Sequence, residues 1–231
     1  MPVPETAPAH AHPDEGARHG RLTARPALTP STIEPGTHHL TGQALLHVPR
    51  TPHPPTRLAV VLHGAGGTAE QALGWLAPHA AAAATMLLAP QAIASTWDMI
   101  TGGYGPDVTR LDTALHETFA RTTVEPGHVA IAGFSDGASY ALSLGVTNGD
   151  LFTAVLAFSP GFMAPLVRHG RPRFHISHGT GDRVLPIERC SRRLVPQLRK
   201  SEYPVTYEEF TGGHEVPEQT AATAMRWWTG G

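Results

Sequence analysis

The chain has 231 residues, of which 41% are hydrophobic and 16% charged, and its formal net charge is −2. A chain of this length buries about 70% of the surface that its unfolded form exposes, so we expect one domain with an ordinary hydrophobic core. The small net charge, without blocks of one sign, argues against nucleic-acid binding. The single cysteine, Cys190, excludes an internal disulfide and a cysteine-based zinc site, and we expect it in the core.

The N-terminal forty residues are rich in proline, alanine, threonine and histidine and show no apolar periodicity. We expect residues 1–40 to be a poorly ordered extension and residues 41–231 to be the single folded domain. His10 and His12 lack a third ordered ligand, so a solvated segment is favoured over a metal site. The sequence shows no secretory signal and no apolar run of the roughly 18 residues that span a membrane, so we expect a cytoplasmic protein without stable membrane association.

From Gln43 onward, short β-rich runs alternate with helical periodicity, which predicts an α/β fold with a mostly parallel central sheet flanked by helices. The apolar run at 58–62 is typical of a central strand that is buried on both faces. The predicted strands are Ala44–Val48, Leu58–Leu62, Met86–Ala89, His128–Ala132, Ala154–Phe158, Arg173–Ser177 and Val205–Tyr207. The predicted helices are Val108–Phe119, a helix that begins near Ala138, Ile187–Leu198 and Pro217–Trp228.

The loop after the second predicted strand reads L-H-G-A-G-G over residues 62–67. Its glycines allow a tight backbone turn, so an N–H near Ala65 can act with that of Asp136 as an oxyanion hole, a pair of donors for the negative oxygen of an acyl-transfer intermediate. A phosphate-binding loop is the weaker interpretation, because the lysine and serine or threonine of a P-loop are missing. We expect His63 to be a structural hydrogen-bonding group.

The segment 133–137 reads G-F-S-D-G and lies between a predicted strand and a predicted helix. A sharp strand-to-helix turn lifts its middle residue clear of the sheet, which would make Ser135 an exposed nucleophile. The same letters also occur in ordinary glycine-rich turns. The strand before the motif and the helix after it favour the nucleophile.

A serine hydroxyl needs a base to remove its proton, and a histidine is the usual choice. His214 lies in T-G-G-H-E, after the last predicted strand and before the final helix. The histidines of residues 1–40 lack a structured setting, and His116 falls within a helix. His214 is therefore the predicted base, with an ordinary surface-loop histidine as the alternative.

The base in turn needs a carboxylate on its other ring nitrogen. Asp182 follows the strand at 173–177, at the carboxyl end where sites in open parallel sheets gather. Asp136, Asp150 and Glu215 are less suitable by position, and a plain turn-forming role for Asp182 is the alternative.

The chain order of Ser135, Asp182 and His214 is that of the α/β-hydrolases. The motifs LHGAGG, GFSDG, HGTGD-x-x-L-P and GGH, with TWDMI…GGYGPDV over 96–108, resemble the phospholipase/carboxylesterase group of that superfamily. Within it, the sequence is similar to the serine esterases described as polyhydroxybutyrate-depolymerase-like or dienelactone-hydrolase-like. The resemblance covers roughly residues 43–228.

This resemblance implies a catalytic triad of Ser135, Asp182 and His214, oxyanion N–H groups from Ala65 and Asp136, and no cofactor. Two features depart from the family. Dienelactone hydrolases have a cysteine where this chain has a serine, and secreted polymer depolymerases have signals and disulfides that this sequence lacks.

About a dozen residues separate the strands at 154–158 and 173–177, too few for a large cap domain, so we expect an open pocket. Its candidate walls, each of which ordinary packing would also explain, are Trp97, Phe162, Met163 and Leu185. The predicted activity is hydrolysis of small to medium acyl or aryl carboxylic esters through an acyl-enzyme. A lysophospholipase, a thioesterase and an inactive binding module are the alternatives, and the sequence leaves monomer or homodimer open.

Overall fold

The computed structural model describes residues 13–27 and 33–230. Its strands are β1 Gly36–His39, β2 Leu45–Val48, β3 Arg57–Leu62, β4 Thr85–Ala89, β5 Val129–Phe134, β6 Ala154–Phe158, β7 Arg173–Gly179 and β8 Val205–Phe210. Its helices are α1 Pro13–Ala17, α2 Ala69–Ala80, α3 Asp98–Thr101, α4 Pro106–Arg121, α5 Asp136–Thr147, α6 Ser191–Lys200 and α7 Glu218–Thr229, with a short 3-10 helix at Thr41–Gln43.

The strands form one sheet in the order β1-β2-β4-β3-β5-β6-β7-β8. The pairs β1-β2 and β2-β4 are antiparallel, and the pairs from β4 to β8 are parallel. Helices α4, α5 and α6 pack on one face, and α2 and α7 pack on the other. This is the mostly parallel α/β sheet that the sequence predicts. The described chain between β6 and β7 contains no helix, so no cap domain covers the carboxyl edge there.

The central strand β3 explains how the two cores form. Leu58, Val60 and Leu62 point to one face, Ala59 and Val61 point to the other, and all five are fully buried. Because side chains alternate along a strand, a continuous apolar run can pack on two helical layers at once. The carboxyl ends of the parallel strands then meet at a single edge, where the loops collect.

Two predicted helices have different starting points in the structure. The helix predicted over Ile187–Leu198 begins only at Ser191, because Cys190 has non-helical backbone angles (φ −112°, ψ −104°). Cys190 itself is buried, as expected. Pro217 lies just before α7 and not within it.

Part of the predicted extension packs firmly on the domain, which corrects the expectation of poor order for residues 13–27. Arg21 donates to both carboxylate oxygens of Asp150, at 2.8 and 2.9 Å, and Arg25 contacts the same group. The hydrogen bonds from Arg21 hold the pKa of Asp150 well below its usual range. Leu22 is buried, and its N–H donates to Asn148 Oδ1.

Strand β1 also falls within the expected extension, and it adds an antiparallel edge to the sheet. The domain start at residue 41 is thus too late for the folded unit in this structure. His10 and His12 lie outside the described residues.

Candidate active site

Ser135 lies at the turn between β5 and α5 and has a positive φ of 58°, which a residue with a Cβ rarely adopts. A Cβ on Gly133 would overlap the carbonyl group of Gly137. A Cβ on Gly137 would overlap the carbonyl groups of Leu62 and His63. The two glycines therefore let β5, α5 and the loop after β3 close around the serine.

The three side chains predicted as a triad form one hydrogen-bonded series. Ser135 Oγ lies 2.8 Å from His214 Nε2, and His214 Nδ1 lies 2.6 Å from Asp182 Oδ2. A carboxylate can only accept, so Nδ1 carries the proton and Nε2 accepts from the serine hydroxyl. In this arrangement the imidazole is poised to remove the Ser135 proton.

The loop after β7 fixes the carboxylate. Asp182 Oδ1 accepts the N–H groups of Val184 and Leu185, at 2.9 and 2.8 Å, which leaves Oδ2 for the imidazole. Burial raises the pKa of Asp182, but the hydrogen bonds from His214 and from the two N–H groups outweigh it and bring the pKa below its usual value. Asp182 is therefore ionised at neutral pH.

A second histidine, His178, supports this loop, and the sequence did not predict its role. Its Nε2 lies 2.8 Å from the Leu185 carbonyl oxygen and 3.2 Å from Asp182 Oδ2, and its Nδ1 lies 2.7 Å from Ser191 Oγ. Because a carbonyl oxygen only accepts, Nε2 carries the proton. The signal was available, since His178 is the first residue of the H-G-T-G-D motif that contains Asp182.

The predicted oxyanion donors lie on either side of the serine. Asp136 is the first residue of α5, and Ala65 follows Gly64, where an added Cβ would lie 3.3 Å from Ser135 Cβ. Neither the Ala65 N–H nor the Asp136 N–H has an acceptor among the described residues. Both donors are thus available to a bound group.

His63 sets the orientation of the Gly64–Ala65 peptide. Ala92 N–H donates to His63 Nε2 at 3.1 Å, so the ring proton is on Nδ1 and points to the Gly64 carbonyl oxygen, 2.8 Å away. Gly67 N–H donates to the same oxygen at 3.0 Å. The peptide is trans, so its N–H points away from these contacts. This places His63 in the structural role that the sequence predicts.

Of the four residues predicted as pocket walls, Trp97 is the one for which the prediction is wrong. Its side chain is only 1% exposed and lies behind the loop after β3, so it cannot contact a substrate as an open wall. Met163 packs partly against the core. Phe162 is 40% exposed, and Leu185 is half-buried. A loop residue can turn inward or outward after a strand, and the sequence did not distinguish the two.

Phe162 and Leu185 are tied to the catalytic turn. Ser139 Oγ donates to the Ser135 carbonyl and accepts the Gly161 N–H at 3.0 Å, with the Phe162 N–H at 3.4 Å. A Cβ on Gly161 would touch the Leu185 side chain, so these two loops meet beside the serine.

Over residues 13–27 and 33–230, no group of three or more His, Cys, Asp or Glu side chains is arranged to hold a metal ion. None of the helices in the same ranges is both long and apolar enough to cross a membrane.

No family model matches the chain, and no curated protein matches it either. Solved structures do resemble it. The truncated form of a carbohydrate esterase from gut microbiota superposes with a TM-score of 0.68 at 16% identity, covering 90% of this chain and 99% of that one. Esterase PE8 gives 0.64 at 23% identity, covering 84% and 96%. FphF, a fluorophosphonate-binding serine hydrolase of Staphylococcus aureus, gives 0.65 at 14% identity, covering 87% and 99%. Together with the sheet order and the strand-turn-helix at Ser135, these likenesses show that the chain has the α/β-hydrolase fold.

Proposed function

We propose that the protein is a serine esterase that hydrolyses small to medium acyl or aryl carboxylic esters through an acyl-enzyme. The observation that carries the proposal is the continuous series from Ser135 Oγ through His214 to the buried carboxylate of Asp182. Two structural neighbours are named esterases and a third a serine hydrolase, which supports the same reaction class.

In the first half-reaction, Ser135 Oγ attacks the ester carbonyl carbon while His214 Nε2 takes the hydroxyl proton. The carbonyl oxygen becomes an oxyanion that accepts hydrogen bonds from the Ala65 and Asp136 N–H groups. The carbon–oxygen bond to the alcohol then breaks, and the departing alkoxide takes the proton from His214. The products are a free alcohol and an acyl group on Ser135.

In the second half-reaction, water takes the place of the alcohol. His214 removes a proton from the water as its oxygen attacks the acyl carbon, and the same two N–H groups hold the oxyanion. The bond to Ser135 Oγ breaks, and the serine regains a proton from His214. Asp182 stays ionised throughout and stabilises the imidazolium that forms in each step.

The apolar surroundings of the serine support an apolar acyl or aryl group. Phe162 is 40% exposed on the loop that follows β6, and Val184 is 66% exposed on the loop after β7 that carries Asp182. These loops open at the carboxyl edge of the sheet, where Ser135 lies. Leu185 adds a half-buried apolar surface against Gly161.

The test is hydrolysis of p-nitrophenyl esters of increasing acyl length by the wild type, Ser135→Ala and the surface control Ser201→Ala. We expect Ser135→Ala to lose at least about 1,000-fold in kcat, because the nucleophile is removed. Ser201→Ala should match the wild type, and long acyl chains should react more slowly because no cap encloses them. Retention of activity within about tenfold by Ser135→Ala would contradict the proposal.

A further inference from the structure

Residues 95–97, here called the bridge segment, follow β4 and contact the loop after β3. The carbonyl oxygen of Ser95 accepts the Gly66 N–H at 2.5 Å. The indole Nε1 of Trp97 donates to the carbonyl oxygen of His63 at 2.9 Å. Ala65 lies between His63 and Gly66 in the chain. These two bonds therefore hold the loop on both sides of the Ala65 N–H.

The bridge segment also contacts the other side of the serine. Thr96 Oγ1 donates to Asp136 Oδ2 at 2.7 Å, and Asp136 provides the second predicted oxyanion N–H. The Trp97 ring lies between two rings, that of His63 at 4.7 Å and that of Tyr140 at 5.2 Å between centroids. Tyr140 belongs to α5, so Trp97 packs between the loop after β3 and the helix that begins at Asp136.

We propose that the bridge segment sets the separation of the two oxyanion N–H groups, and that Thr96 and Trp97 are positioning residues for the reaction. This inference rests on the proposed function. The donors of an oxyanion hole come from two separate chain segments, and their effect depends on a fixed distance to one oxygen. The bridge segment joins these two segments through three consecutive residues. It also gives a role to the T-W-D motif, which the triad does not use.

One carboxylate, that of Asp107, fixes the chain on both sides of the bridge segment. Asp107 Oδ1 accepts the Ile93 N–H at 2.9 Å, and its Oδ2 accepts the Asp98 N–H at 2.8 Å. Asp98 Oδ1 in turn accepts the Tyr140 hydroxyl at 2.9 Å. The segment between Ile93 and Asp98 therefore has little freedom to move relative to α5, as a positioning element requires.

The experiment uses two variants that each remove one hydrogen bond, and the first of them also keeps the shape of the side chain. Thr96→Val removes the hydroxyl that binds Asp136, and Trp97→Phe removes the indole donor to His63 while it keeps an aromatic ring. We expect kcat to fall about 10- to 100-fold in each, with KM little changed, because a small displacement of an oxyanion donor weakens transition-state binding. A trifluoromethyl ketone, which forms a hemiketal oxyanion on the serine, should bind more weakly by a similar factor.

Control variants make the same chemical change away from Ser135, at an exposed threonine and a half-buried tryptophan. Thr113→Val removes an exposed hydroxyl that donates to the Thr109 carbonyl, and Trp227→Phe removes an indole donor to Thr206 Oγ1. Both controls should keep the kcat of the wild type. A purely structural role for the bridge segment would lower the unfolding temperature of its variants without changing kcat or ketone binding in the folded enzyme.

The inference is overturned if Thr96→Val and Trp97→Phe both keep kcat and ketone binding within about twofold of the wild type. That result leaves the proposed function intact as long as Ser135→Ala is inactive. The proposed function itself fails if the wild type hydrolyses no ester and the serine does not react with a fluorophosphonate.

Discussion

Two loops at the catalytic edge begin with the same dipeptide, and the comparison shows how one sequence element serves two purposes. His63-Gly64 directly follows β3, and His178-Gly179 ends β7. Both imidazoles are fully buried, and burial lowers the pKa of both. Each ring bonds to the loop that follows it. The His63 loop presents a backbone N–H, whereas the His178 loop presents a carboxylate.

The hydrogen-bond partners of the two rings differ, and this difference decides which protonation states each ring can adopt. His63 has a main-chain donor on one nitrogen and a main-chain acceptor on the other, so only one neutral tautomer fits. His178 has a main-chain acceptor on Nε2 but the hydroxyl of Ser191 on Nδ1, and a hydroxyl can donate or accept. A proton added to His63 would break a contact, whereas one added to His178 would find an acceptor. The His63 loop is therefore the more sensitive to a change of its histidine.

The largest effect is expected from the carboxylate of the His178 loop. Asp182→Asn keeps an acceptor for the Val184 and Leu185 N–H groups but no longer favours the Nδ1-protonated imidazole. We expect kcat to fall about 10,000-fold with the fold unchanged, as is typical when the acid of a triad loses its charge. Steady-state kinetics with a p-nitrophenyl ester, beside a circular dichroism spectrum, provide the measurement. A loss of less than about tenfold would show that this loop does not serve the base.

The next effect is expected at His63. His63→Ala leaves the Ala92 N–H without an acceptor and leaves the Gly64 carbonyl with the Gly67 N–H as its remaining donor, so the Ala65 N–H is held less firmly. We expect kcat to fall about 100-fold and the free energy of unfolding to fall by about 1–3 kcal/mol. Kinetics and urea unfolding measure the two effects separately.

His175→Leu is the control for His63→Ala, since His175 is also a buried histidine but packs on Trp227. It should change stability without changing kcat. Equal losses of kcat in the two variants would mean that His63→Ala lowers kcat through lost stability and not through the orientation of the Ala65 N–H.

A smaller effect is expected from His178→Ala. The variant loses the donor to the Leu185 carbonyl, but the Val184 and Leu185 N–H groups still hold Asp182. We expect kcat to fall about tenfold, because the loop that carries Asp182 is held less firmly. If His178→Ala costs more activity than His63→Ala, the ranking of the two loops is wrong.

How much of this the sequence predicts depends on whether a residue lies in a local motif that states its role. The serine turn, the base before the last helix and the acid after β7 each follow a local pattern, and the structure brings all three within hydrogen-bond distance. The bridge segment and residues 13–27 bind partners far away in the chain: Thr96 and Asp136 are 40 residues apart, and Arg21 and Asp150 are 129 apart. Local periodicity cannot select one carboxylate among many at such separations.

The histidines also predict a pH effect on stability that leaves kcat unaffected at neutral pH. The pKa values of His63 and His178 lie below the ordinary 6.5, and burial lowers that of His175 to about 4. Below pH 6.5 the unfolded chain therefore binds protons that the folded chain does not, so the free energy of unfolding decreases as the pH falls.

His175 contributes a slope of up to about 1.4 kcal/mol per pH unit, and this slope persists from about pH 6.5 down to about pH 4. Urea unfolding at several pH values should show a shallower decline for His175→Leu than for the wild type. An identical decline in both proteins would mean that His175 has the same pKa in the folded and the unfolded chain.

The most direct test of the whole account is to identify the acyl-enzyme. The protein is mixed with p-nitrophenyl acetate, quenched with acid within the first turnovers, digested and examined by mass spectrometry. We expect an acetyl group on the peptide that contains Ser135, formed with a burst of nitrophenol, and no such group in Ser135→Ala. Acetyl transfer to another residue, or undiminished turnover by Ser135→Ala, would contradict the assignment of Ser135 as the nucleophile.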